Sequence, residues 1–200
     1  MQISIKTNFA GVQKALDDMQ RGVREKALAS AMNKTIEQAR TQMTREITQE
    51  FAVDRGYVRD RLRIRRASFK AGVFGMSAEL DGSQKKRSAN LIRFADRFTT
   101  LARIRKAAKE GKKPQMQFKI KRVGGKKVIT GAFVGNNGRT VFIRTTDNRL
   151  PIKALQTIDV GQMFNTKRIN AVVARTLREK FPEVFEREAR YFTDKFNSKG

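Results

Sequence analysis

Nine cationic side chains fall in two short runs of this 200-residue chain. Lys85, Lys86 and Arg87 form the first. Arg103, Arg105, Lys106, Lys109, Lys112 and Lys113 form the second, with Glu110 as the acid among them. Such side chains donate charge-assisted hydrogen bonds to phosphate or carboxylate oxygens. From Gly75 to Gln117 the aromatics are Phe94 and Phe98 alone, so bases would find no stacking platform. No helix-turn-helix or zinc-finger spacing appears. The expected contact is with the charge of a polyanion, without sequence readout.

Other chemistries are poorly supplied. The chain has no histidine and no cysteine. Imidazole acid–base catalysis, His-based triads, thiol ligands and disulfides are therefore excluded. The carboxylate pairs are Asp17-Asp18 and Glu186/Glu188. Both lie in helical patterns rich in basic neighbours, which reads as ion pairing rather than proton transfer. The glycines of Gly131–Gly138 are flanked by strand patterns, so they do not make a phosphate-binding loop that opens a helix. We expect no catalytic residues, no cofactor, no metal site and no enzymatic activity.

The charge is concentrated. Net charge is +25. Residues 52–153 carry 27 basic and 7 acidic side chains, whereas residues 1–51 carry 8 and 6, and residues 154–200 carry 9 and 6. A cationic block of this size exceeds what solubility needs and attracts nucleic acid, acidic protein surfaces or anionic lipid. No apolar run is long enough to span a membrane. Met1–Lys6 lacks an apolar signal core, so no secretory signal is expected.

The elements that must position these groups follow from periodicity. Residues 2–6 alternate and suit a short edge strand. From Val12 to Phe51 apolar residues recur at threes and fours, with Asn8 as a possible cap; this predicts a long helix over 8–51, with Gly22 as its weak point. Asp54 caps a short basic helix, Arg55–Leu62. Ala67–Leu80 alternates, and its parity changes at Gly72, as at a bulge. Ala89–Phe94 reads as a strand. Residues 82–114 form a basic arm. Gln115–Val123 alternates with Met116, Phe118 and Ile120 on one face, and Gly124-Gly125 turns it back.

Lys127–Lys153 holds two apolar runs around Gly135-Asn136-Asn137-Gly138, a strong hairpin signal. Both faces are partly apolar. That predicts a central hairpin covered on both sides, with Phe133, Phe142 and Ile143 buried and Pro151 at an edge. Asp159 and Gln162 have capping-box spacing at the start of a last helix, 159–197, which Pro182 kinks or restarts. The expected fold is α+β in one domain: a mostly antiparallel or mixed sheet over 63–158 between a long N-terminal helix and a C-terminal helix, plus the basic arm.

The order of short segments adds a resemblance. R-D-R-L-R-I-R-R-A-S at Arg59–Ser68 and L-I-R-F at Leu91–Phe94 follow the long helix. Then come G-A-F-V at Gly131–Val134, V-F-I-R at Val141–Arg144 and R-L-P-I at Arg149–Ile152. The whole resembles the minor tail protein Z family of lambda-like phages and prophages. Thr157-Ile158-Asp159 stands where that family suggests a Gly-Pro-Ser-like turn. The resemblance implies a virion protein that completes the tail at its head-proximal end, near the head–tail junction and neck. Implied partners are tail terminator, tube or connector rings, DNA phosphates in the channel, and further copies in a ring, most simply a hexamer. Implied locations are the virion tail and, during assembly, the host cytoplasm. It carries over no catalytic residues. The alternative is a sequence-nonspecific cellular nucleic-acid-binding protein, such as a ribosome-associated factor.

Overall fold

The computed structural model describes residues 2–5, 19, 21–68, 76–82, 89–96, 106–107, 109–112 and 115–198. Two long helices dominate: α1, Arg21–Glu50, and a C-terminal helix, Lys167–Asn197. In α1 the residues Ala27, Leu28, Ala31, Met32, Ile36, Ala39, Met43 and Ile47 are all fully buried. Their three- and four-residue spacing makes one apolar stripe. The expected start near residue 8 lies outside the described residues.

Asp54 caps the short helix α2, Arg55–Arg59, accepting from the Gly56 and Tyr57 backbone N–H groups. Strands β1 (Gln2–Ile5), β2 (Arg63–Arg65) and β3 (Ala78–Asp81) make an antiparallel sheet in the order β1-β3-β2. Ile3 and Ile64 both stand opposite Leu80. Met76, Ala78 and Leu80 are buried in the same core as the α1 stripe, as their parity predicts.

The remaining strands are short. They are β4 (Ala89–Asn90), β5 (Gln115–Phe118), β6 (Lys127–Thr130), β7 (Phe133–Gly135), β8 (Thr140–Arg144), β9 (Ile152–Ala154) and β10 (Gln156–Thr157). They form three antiparallel units: β4 with β10, β5 with β6, and β7-β8-β9. The expected turns are present. Gly124 has φ +112°, and Asn136, Asn137 and Gly138 all have positive φ between β7 and β8. Met116 and Phe118 are buried with Leu91, Ala132 and Val141 in a small second core.

The two cores meet at the C-terminal end of α1. The Arg122 guanidinium donates to the Thr48 carbonyl, and the Arg122 backbone N–H donates to the Glu50 carbonyl at 2.8 Å. These carbonyls belong to the last turn of α1, where helical partners run out. Ala52 N–H donates to the Ile120 carbonyl at 2.8 Å, and Ile120 packs on both cores.

Asp159 and Gln162 form the capping box, but it opens a separate short helix, α3 (Val160–Phe164). The long C-terminal helix, α4, begins after Thr166 and runs unbroken through Pro182. Pro182 is exposed, so water can satisfy the carbonyl that its missing N–H leaves. Ile169, Val173, Leu177, Phe181, Val184 and Phe185 are the buried apolar stripe of α4.

The class is α+β, but three further expectations change. The long helices pack mainly on each other, not on opposite faces of one sheet. Each stripe is long enough to bury the other. The hairpin is therefore peripheral, and Phe133, Phe142 and Ile143 are half-buried rather than buried. Ala89–Phe94 is a two-residue strand followed by a 3-10 turn, because the Asn90 side chain accepts from Ile92 N–H and bends the chain.

Candidate polyanion and partner interface

Of the nine predicted contact residues, Lys85, Lys86, Arg87, Arg103, Arg105 and Lys113 lie outside the described residues. Lys106 and Lys109 lie on one exposed helical turn that ends at Gly111, φ +68°, and the exposed Lys112 follows it. Lys112 N–H closes the turn onto the Ala107 carbonyl at 2.9 Å. Glu110 lies 4.0 Å from the Lys106 Nζ and 3.1 Å from the Lys112 Nζ. Exposed ion pairs of this kind contribute little. The three ammonium groups therefore remain available to a polyanion.

A second cationic surface, on the basic helix and the segment after it, is not among the predicted contact residues. Residues 55–66 hold six arginines against one acid, Asp60. Arg65 lies 3.6 Å from Glu79, and Arg66 lies 2.8 Å from Glu37. The guanidiniums of Arg61 and Arg93 stand 4.4 and 4.9 Å from the Tyr57 ring centroid, a cation–π arrangement. Tyr57, Arg61 and Arg93 border a recess that also carries Asp60 and Asp159, so its charges partly cancel.

Between α1 and α2 runs a groove of about 480 Å³, lined by Arg40, Thr41, Thr44 and Arg45 from α1 and by Arg55 and Arg59 from α2. No carboxylate lines it. Arg40 pairs with Glu37 at 2.7 Å. The sequence signal is weak because half the lining comes from α1, ten or more residues upstream of Arg55. The i,i+4 pair Arg55/Arg59 was visible, but only the packing of α2 on α1 places Arg40 and Arg45 opposite it.

The carboxylate pairs take no catalytic form. Asp17 and Asp18 lie outside the described residues. Glu186 pairs with Arg190 on the α4 surface. Glu188, by contrast, is buried between the long helices. It accepts from Ser30 Oγ at 2.8 Å and from Lys34 Nζ at 2.7 and 2.8 Å, and Arg187 Nε lies 3.5 Å away. Burial pushes the Glu188 carboxyl up. The hydrogen bonds from Lys34 and Ser30, with the Lys34 charge and Arg187, outweigh burial and hold it below its ordinary value. Glu46 and Glu50 make a similar clamp on Arg168 near the other end of the helix pair. Among the described residues no cluster of His, Cys, Asp or Glu could hold a metal ion. No helix there is long and apolar enough to cross a membrane.

The family profile of prophage minor tail protein Z matches residues 10–193. The chain belongs to that family. It is a structural protein of a phage tail, it resides in the virion, and its partners are other tail or virion proteins. No curated protein and no solved structure matches it. In this tail protein Val141–Arg144 lies in β8, and Arg149–Ile152 leads into β9 through a cis Leu150–Pro151 bond. Asp159, after Thr157-Ile158, caps α3.

Proposed function

We propose that this tail protein completes the tail at its head-proximal end, beside the head–tail junction. It contacts tail terminator, tube or connector rings there, and it assembles as a ring, most simply sixfold, to match the sixfold stacking of tails. The basic arm carries Lys85, Lys86, Arg87, Arg103, Arg105, Lys106, Lys109, Lys112 and Lys113 toward phosphates of the DNA in the channel. The observation that carries this reading is family membership joined to the charge distribution. The tail family supplies the setting, and residues 52–153 supply 27 basic against 7 acidic side chains. The exposure of Lys106, Lys109 and Lys112 supports it. Because the family places the chain in a virion, the cellular nucleic-acid-binding alternative is set aside.

The test replaces Arg103, Arg105, Lys106 and Lys109 with glutamine and follows assembly and infectivity separately. Particles that assemble but fail to hold or deliver DNA support the channel reading. Particles that never acquire the protein overturn it in favour of protein docking by the arm. Images of particles labelled on this chain test the rest. Label away from the head-proximal end, or a single copy without cyclic order, rejects the location or the ring respectively.

A further inference from the structure

We infer that the groove between α1 and α2 docks an acidic peptide segment of another protein, bound by the guanidiniums of Arg45, Arg55 and Arg59. This goes beyond the reading above and does not rest on it, since it concerns different residues and holds wherever the protein sits in the tail. Four arginines line the groove. Arg45, Arg55 and Arg59 are exposed and make no ion pair among the described residues, whereas Arg65 and Arg66 nearby are both paired. Each guanidinium offers five N–H donors in a fixed fork that matches a carboxylate. Arg40 is already held by Glu37, so it stiffens the wall rather than searching for a ligand.

The threonines add to the asymmetry. Thr41 Oγ1 donates to the Glu37 carbonyl at 3.0 Å, and Thr44 Oγ1 donates to the Arg40 carbonyl at 2.8 Å. The hydroxyl protons are thus spent inside α1, and the arginines supply the donors that face an incoming anion. The Asp54 carboxylate already caps the start of α2, so the backbone there contributes no anion site.

Shape decides between acidic peptide and duplex DNA. About 480 Å³ between two helices is the size of a pocket for a small ligand or a few side chains. Duplex phosphates lie on a broad convex surface and call for a spread of cations rather than a recess. The lining holds no aromatic side chain, so a single strand would gain no stacking. A second copy of this chain would have to present an acidic segment to this groove, and its 19 acidic side chains are outnumbered by 44 basic ones.

The experiment measures anisotropy of a labelled oligoglutamate peptide and of a labelled random-sequence duplex. It is run on the full chain at near-physiological salt, where the screening length is about 8 Å. Arg45→Gln/Arg55→Gln/Arg59→Gln should weaken peptide binding about tenfold or more, since each lost contact is a hydrogen bond to a charged group. Lys106→Gln/Lys109→Gln/Lys112→Gln removes the same charge and should change it less than about twofold, the span expected of screened exposed charges. The lysine-for-arginine version of the groove variant should lose most of the binding despite its full charge. Equal losses in the two glutamine variants would mean bulk charge alone and overturn the inference. So would a groove variant that loses DNA more than peptide, or a native chain that does not bind the peptide. Matched thermal melts confirm that α2 stays folded in each variant.

Discussion

The α1–α4 body and the β5–β9 region bury their apolar side chains to different depths. Phe181, Phe164, Ile36, Met43 and Ile47 are fully buried in the first. In the second, Met116, Phe118, Ala132 and Val141 make a small buried cluster, but Phe133, Phe142 and Ile143 are half-buried, and Val128, Leu150 and Ile152 are exposed. Both regions are apolar and periodic, so hydrophobicity alone does not separate them. Length does. Helices of 30 and 31 residues carry stripes that cover one another along many turns. Strands of three to five residues cannot screen both faces of a sheet. The body is therefore the scaffold. The short sheets are carried on the end of α1, where Arg122 and Ile120 fasten them.

The sharpest way to break this comparison is to truncate a fully buried aromatic of the body. Phe181 is fully buried and its ring centroid lies 6.3 Å from that of Phe185. Phe181→Ala should cost about 3–5 kcal/mol. Denaturant melts read it. A loss under about 1 kcal/mol, the range of ordinary surface changes, would mean that the helix pair is not the core.

How much of this was legible depends on the range of the interactions. The α1 stripe, the Asp54 cap, the Asp159–Gln162 capping box and the turns at Gly124 and Asn137-Gly138 are set by neighbours within a few residues, and the sequence shows them directly. The partner of the α1 stripe is not local. Nothing in 21–50 says whether α4 or a sheet covers it, and the hairpin was the wrong choice because its two apolar faces look like a core in one dimension. Glu188 illustrates the same limit. Its pairing with Ser30 and Lys34 crosses more than 150 residues, so on the chain it reads as one more solvated helix acid. The arginine groove needed α1 and α2 side by side before its charges could be counted together.

Glu188 gives the next largest effect. Glu188→Gln keeps the shape but removes the charge that Lys34 and Ser30 serve, and should cost about 1–3 kcal/mol near neutral pH. The pH dependence follows from the sign of the shift. The folded carboxyl is held below its ordinary value. Its contribution is therefore present above the unfolded value and is lost as pH falls through the folded one. The gap between native and Glu188→Gln stability should narrow as pH drops into and below the carboxylate range, about pH 4. A gap that stays constant with pH would show that the ion pair does not tie the helices together.

Phe142→Ala probes the shallow side. The ring lies 5.9 Å from Phe133, and a Cβ added at Gly135 would come 3.0 Å from it. It is half-buried, so truncation should cost about 1–2 kcal/mol, part of the value for full burial. A cost equal to that of Phe181→Ala in the same melts would erase the distinction between the regions.

The finest test uses one substitution type in both places and reads its sign. Gly22 lies in the first turn of α1, is exposed, and has open space where a Cβ would go. Gly22→Ala restricts the unfolded chain without a clash, and should stabilise by about 0.4–1 kcal/mol or somewhat less so near the helix start. Gly138 sits at φ +82° between β7 and β8, also with open space around it. There the obstacle is the backbone, since an L side chain in the left-handed region costs about 1 kcal/mol or more. Gly138→Ala should therefore destabilise, by an amount that the entropic gain partly offsets. Opposite signs in paired melts would show that helix propensity acts at one site and turn geometry at the other. A gain at both sites would mean that the hairpin turn relaxes freely, and the positive φ at Asn136 and Asn137 would then not be required by β7–β8 pairing.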